Sequence, residues 1–189
     1  MGTPRKSTGF SILEIMVSLT VIAILSGIAV PAIGGLLDRN RTKAAAIQFQ
    51  DNLRQARYES KTHSTASITF CALETSYSEK TKCIASNGKF RFQNGWQWFV
   101  DNNGDGAYTT ADGDRLLGNS YEADDNDITI EVSVRILNNA ITYNNGKATI
   151  LKANNSNVIT PFVTFTNKSG GTSTVYFDDT GRSTLEHVL

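Results

Sequence analysis

Apolar residues run almost without a break from Ile12 to Val30, after a polar opening, MGTPRKSTG, whose only charges are Arg5 and Lys6. At about 1.5 Å per residue this run makes a helix roughly 28 Å long, close to the hydrocarbon thickness of a bilayer. Basic residues on its N-terminal side predict a cytoplasmic start and an exported C-terminal part. From Ala32 the pattern becomes amphipathic. Ile33, Leu37, Ala45, Phe49, Leu53, Ala56 and Ser60 recur near one face at the helical period, with Arg39, Lys43, Arg54 and Arg57 mostly elsewhere. Pro31 and Gly34-Gly35 invite a bend, yet nothing up to Lys61 reads as a linker. The pattern predicts one helix over residues 11–61.

Beyond His63 the period changes to two. Residues 66–73 read as a strand, with Ile68 and Phe70 on one face, followed by a polar loop over 74–86. Phe90 and Phe92 alternate before Asn94-Gly95, and Trp96, Trp98 and Val100 alternate after it, which predicts a type I′ hairpin. Residues 101–114 form a polar turn region and 115–117 a short strand; 121–127 is an acidic loop and 128–134 a strand. A second hairpin is expected at Asn144-Asn145-Gly146, joining 140–143 to 148–151. Three closing strands follow at 162–166, 174–177 and 183–188, with Gly170-Gly171 and Asp179-Thr180-Gly181 as their turns.

Charge does not point to nucleic acid: Lys+Arg and Asp+Glu both number 18. The distribution is uneven, however. Residues 38–61 carry six basic residues against three acidic, and residues 101–131 carry nine acidic against one basic. Two readings fit: complementary faces for docking neighbouring subunits, or ordinary solvated surface. Cys71 and Cys83 are the only cysteines. In an exported domain such a pair usually forms a disulfide, which for this loop contributes about 2–3 kcal/mol; the other reading is two separate thiols.

Three groups of residues are candidates for chemistry. Glu14 sits near the start of the apolar run, where a carboxylate marks either a specific partner or a position at headgroup depth. Asp101, Asn103, Asp105 and Asp112, with Gly106 between, have the spacing of a calcium loop, with Asp in the place of the final Glu. No helices flank the loop, so the other reading is an Asx-rich turn. His63 and His187 are the only histidines, and no nucleophile constellation or phosphate-binding glycine loop accompanies them. His63 is read as a cap of the long helix and His187 as a strand residue. The chain is expected not to be an enzyme and to need no cofactor, calcium aside.

Gly9-Phe10-Ser11-Ile12-Leu13-Glu14 resembles the class III prepilin motif: Gly before the cut, an aromatic residue after it, and Glu at the fifth mature position. The resemblance implies that a membrane peptidase removes residues 1–9 and N-methylates Phe10. It also implies that Pro31 is the helix-kinking proline common in type IV pilins. The order of elements, the cysteine pair, and the run from Gly95 to Gly106 with Asp114-Arg115-Leu116-Leu117 resemble the GspH/FimT family of minor pilins and pseudopilins. Some relatives bind DNA through a Gly-Arg-x-Arg motif near the C-terminus. The matching place here is Gly181-Arg182-Ser183-Thr184, where Thr184 replaces the second arginine and Asp178, Asp179 and Glu186 stand nearby. A solvated turn residue is the favoured reading of Arg182.

The expected architecture is α+β and type IV pilin-like: a long N-terminal helix, transmembrane in its first half, packed on a mostly antiparallel β domain. The expected divisions are a leader over 1–9, a transmembrane and assembly helix over 10–31, its amphipathic continuation over 32–62, and a periplasmic β-rich domain over 63–189. The expected function is a minor subunit of a type IV pilus or type II secretion pseudopilus. Its implied partners are other pilins or pseudopilins, the prepilin peptidase and the bacterial inner membrane. The alternative is a pilus-associated binding module.

Overall fold

The computed structural model describes residues 9–63, 66–73, 92, 95–120, 128–132, 140–149, 162–178 and 180–188. Helix α1 runs over Ile12–Thr62, matching the predicted span. The chain divides into two compact units, Met1–Leu37 and Asp38–Leu189. The described part of the first is Gly9 to Leu37, the N-terminal part of α1 and the residues just before it. The second holds the rest of α1 and all the strands.

The second unit contains two antiparallel sheets. The first has the order β3-β2-β1-β5-β6, built from β1 (Ser67–Ala72), β2 (Trp96–Asp101), β3 (Arg115–Ser120), β5 (Ala140–Asn144) and β6 (Lys147–Thr149). The second has the order β4-β7-β8-β9, built from β4 (Ile128–Val132), β7 (Phe162–Asn167), β8 (Thr172–Phe177) and β9 (Ser183–Val188). The resulting α+β arrangement is the one the periodicities predict.

Phe49 on α1 is where helix and sheets meet. Its fully buried ring makes edge contacts with Phe70 at 5.4 Å and Trp96 at 5.0 Å from the first sheet. It also meets Phe165 at 5.6 Å and Phe177 at 6.5 Å from the second. Edge-to-face geometry sets the positive rim of one ring against the negative face of another, so one helical residue ties both sheets into one core. Ala45, Ala46, Leu53 and Ala56 continue the buried stripe. The three alanines let the helix approach the sheets closely. Gln50 adds a polar tie, its Nε2 donating to the Ser183 carbonyl at 3.0 Å.

Three expectations need correction or limits. Ile33 and Leu37 are 53% and 52% exposed, so the buried stripe is shorter than the periodicity implies and begins at Thr42. The hairpin expected across Asn94-Gly95 does not form around β2. Both edges of β2 are taken, by β1 on one side and β3 on the other. Gly95 instead closes a turn in which its N–H donates to the Phe92 carbonyl at 3.0 Å, with φ 101°. Phe90, the loop over 74–86 and the acidic loop over 121–127 lie outside the described residues.

The hairpin at Asn144-Asn145-Gly146 forms as expected. Asn145 and Gly146 both take positive φ, 48° and 75°, as a type I′ turn requires. Strand β2 differs from a simple half-buried strand because both its faces are covered. Trp98 stacks on Phe70 at 6.2 Å, while Phe99 on the other face meets Tyr108 from the following loop at 5.2 Å. Gly118 lies opposite Trp98, and a Cβ there would come within 2.1 Å of the indole, so bare backbone is required.

Candidate functional site

In the N-terminal unit, Ser11 opens α1. Its Oγ accepts from the Leu13 N–H at 3.3 Å, and its carbonyl accepts from Glu14 and Ile15 at 3.0 and 3.2 Å. Ser11 with Glu14 three residues on is the sequence of a capping box, and a carboxylate in the first turn is favoured by the helix dipole. Glu14 is exposed, and it is the sole charge between Ile12 and Leu37. Around it Phe10, Ile12, Leu13 and Met16 are between 65% and 80% exposed. The most apolar 18-residue window of the helix has a mean hydropathy of 2.3 and no buried residue.

Two hydroxyls in this segment, those of Ser18 and Thr20, are turned back onto the helix's own carbonyls. Ser18 Oγ donates to the Glu14 carbonyl at 2.7 Å and Thr20 Oγ1 to the Met16 carbonyl at 2.8 Å. A hydroxyl satisfied within its own helix can enter hydrocarbon or a protein interior without an orphaned donor. Glu14 is then the one group on the segment whose transfer from water is strongly unfavourable without a counter-charge. The helical backbone continues through Pro31, which lacks the N–H that an ordinary residue would donate to the Gly27 carbonyl. Gly9 and Phe10 precede the helix in exposed chain, accessible at the junction between them.

In the β domain, the candidate calcium residues are brought into one loop. Asp101 is fully buried, and its carboxylate accepts from the Gly104 and Gly106 N–H groups at 2.7 and 3.0 Å and from Thr69 Oγ1 at 2.8 Å. Asn103 Nδ2 donates to Asp105 at 3.0 Å and to Asp112 at 3.1 Å. Asp114, which the spacing did not single out, anchors the far end of the loop by accepting from Asn102 and Thr109 N–H groups at 3.1 and 2.9 Å. Among the described residues no cluster of three or more His, Cys, Asp or Glu is placed to hold a metal ion. The Asp101 oxygens are aimed at protein donors, which closes the loop by the chain's own hydrogen bonds.

Cys71 is fully buried on β1, beside Phe99 and Ala140, and Cys83 lies outside the described residues. His63 holds the end of α1: its N–H donates to the Glu59 carbonyl at 3.1 Å, and its Nδ1 lies 3.1 Å from the same oxygen. Arg115 donates to its Nε2 at 3.1 Å, which assigns the ring proton to Nδ1. His187 falls on β9 opposite Ser173.

Arg182 follows the β8–β9 turn. Asp178 Oδ1 accepts from the N–H of Arg182 at 2.8 Å and from Thr180 Oγ1 at 2.7 Å. Slight burial pushes the Asp178 carboxyl upward, but these donors and the nearby Arg182 charge outweigh it and hold the group below its ordinary range. Arg182 lines an open cleft of about 260 Å³ together with Arg54 and Arg57 of α1 and Gly181, Ser183 and Thr184. Sequence reasoning placed Arg54 and Arg57 mostly off the apolar face of the helix, in a basic stretch read either as a docking face or as solvated surface. No local signal joins them to a residue more than a hundred positions away. Tyr143, whose hydroxyl donates to the Gly181 carbonyl at 3.4 Å, is buried, and burial first of all raises its phenol above the usual tyrosine range, with Arg57 opposing and Asp178 reinforcing the shift.

Residues 4–30 match the family model described as the prokaryotic N-terminal methylation motif. The comparisons with curated proteins and with solved structures give no significant match. The matched region coincides with the exposed apolar segment and includes Gly9, Phe10 and Glu14. The chain therefore carries a prepilin-type N-terminus, the kind that a prepilin peptidase processes and that assembles with other pilins.

Proposed function

We propose that this type IV pilin-like protein is a minor pilin or pseudopilin of the GspH/FimT class, helping to initiate or cap its filament. Its role is structural rather than enzymatic. The observation that carries this reading is the N-terminal segment itself, an exposed apolar helix with one carboxylate, within a methylation motif. Cleavage after Gly9 creates an α-amine on Phe10, which is then methylated. In the membrane the helix anchors the subunit, with residues 63–189 in the periplasm. In the filament, Glu14 pairs with the Phe10 amine of a neighbouring subunit. That pairing offsets the cost of two buried charges and fixes the axial register. Pro31 lets the helix bend as subunits pack, and a Cys71–Cys83 disulfide closes the loop after β1.

Sheared filaments or solubilised pseudopilus complexes are expected to contain a form beginning at N-methylated Phe10. Recovery of only the unprocessed chain, in cells with active peptidase, contradicts the reading.

A second reading, a filament-tip binding module, has the arginine cleft in its favour. Three guanidinium groups near one backbone turn suit a phosphate better than Arg182 alone. Asp51 and Asp178 border the same place, which weakens any purely cationic track. A gel-shift titration with duplex DNA tests it, using Arg182→Ala as control; absence of a salt-sensitive shift removes the DNA version.

A further inference from the structure

Two charged features lie toward opposite edges of the first sheet. Toward the β3 edge, the loop over 102–114 holds Asp105 and Asp112 close together and exposed, both reached by one amide, Asn103 Nδ2. Among the described residues, Asn103 Nδ2 and the Ala107 N–H, neutral groups of the same loop, donate to these carboxylates. Toward the β6 edge, Arg57 Nε donates to the Gly146 carbonyl at 2.8 Å, and Arg54 and Arg182 complete the cleft. Arg54 and Arg182 are exposed. Arg54 meets Asp51 at 3.2 Å in a pair about 60% exposed, the kind that contributes little and exchanges readily. Asp178 is occupied by the hydroxyl and backbone donors of its own turn.

We propose that the arginine cleft receives the Asp105–Asp112 edge of a second copy of this chain. The proposal rests on the filament-subunit reading above. A two-fold dimer through either edge would set like charges against each other. A head-to-tail contact sets opposite charges together. Exposed arginine–carboxylate pairs add little affinity but choose partner and register. The apolar helix supplies most of the association, and the cleft decides which flank of the neighbour is met.

Charge reversal distinguishes this contact from others. Full-length protein in detergent micelles, with a benzophenone side chain installed at Ser183, is expected to capture a second copy on irradiation, with adducts mapping to residues 102–114. Capture is expected to fall by about fivefold in Arg54→Glu/Arg182→Glu and also in Asp105→Lys/Asp112→Lys. Mixing the two variants is expected to restore it, because one reversed cleft then faces one reversed edge. Adducts elsewhere, insensitivity to reversal, or no restoration on mixing overturns the proposal, as does loss of capture to added duplex DNA. If a variant fails to melt cooperatively, the unsubstituted cleft and edge decide the matter through salt. Capture must then decline between about 0.05 and 0.5 M, as screening of exposed charges requires, and a salt-independent yield overturns the proposal. The intact mass of protein from the same cells reports processing at Phe10 separately, so correct processing without capture sinks the docking contact alone.

Discussion

Arg57 and Gly146 are joined across the domain: the guanidinium Nε donates to the glycine carbonyl at 2.8 Å, while Ser60 Oγ accepts from the glycine N–H at 2.9 Å. One turn of α1 thus satisfies both backbone groups at the tip of the β5–β6 hairpin. A hydrogen bond from a charged donor contributes about 1.5–3 kcal/mol. Arg57→Ala is expected to lower stability by an amount in that range, measured by urea unfolding at unchanged m-value, and an unchanged midpoint would mean that the hairpin tip is held by other means.

Gly146 itself is constrained twice. Its φ is 75°, and a Cβ there would lie 2.6 Å from Lys61 Cε. The Lys61 chain can swing away, so backbone strain dominates. Gly146→Ala is expected to cost about 1 kcal/mol or more. Calorimetry that shows a gain in stability contradicts this account of the turn.

Phe49→Ala removes the ring that contacts both sheets. A truncation of this kind in a packed core costs about 3–5 kcal/mol. The expected result is loss of cooperative thermal unfolding of the β domain or a large fall in its midpoint. A fall near that of an exposed alanine substitution would mean that the helix is not the tie between the sheets.

The loop over 102–114 should hold its shape without calcium. Asp101 is fully buried and already accepts three hydrogen bonds from protein donors. Asp101→Ala leaves those donors unpaired and is expected to lower the melting temperature equally in calcium and in chelator. A melting shift on adding calcium, lost in Asp101→Ala, would instead support the metal-binding reading of the same spacing.

The cysteine pair makes a separate prediction. Denatured, unreduced protein from its native cells is expected to show no free thiol, and Cys71→Ser with Cys83→Ser is expected to lose about 2–3 kcal/mol. Two titratable thiols in the native protein would remove the disulfide.

The contrast between two Asn-Gly signals shows what the sequence could reveal about this fold. Asn145-Gly146 sits between strands that pair with each other, so the local turn chemistry and the tertiary pairing agree. Gly95 begins a strand whose two neighbours, β1 and β3, are set by distant sequence, and the local signal is overridden. The apolar helix and methylation motif of the N-terminal segment were legible, because apolar length and an isolated carboxylate are one-dimensional properties. The cleft was not, because Arg54, Arg57 and Arg182 meet only through the packing of α1 beside the β8–β9 turn. The anchoring role of Asp114 was hidden for a related reason: its action as a backbone acceptor follows from the closing of the loop rather than from calcium-ligand spacing.

Glu14 is the proposed assembly residue, and that role makes its segment more than an anchor. The most direct measurement is the incorporation of Glu14→Ala into sheared filaments or solubilised pseudopilus complexes, normalised to the processed protein in the membrane. The expected result is a folded β domain with unchanged melting, a processed N-terminus at Phe10, and incorporation reduced by at least about tenfold, because the partner amine is left without its counter-charge. Incorporation at the level of the native protein would contradict it.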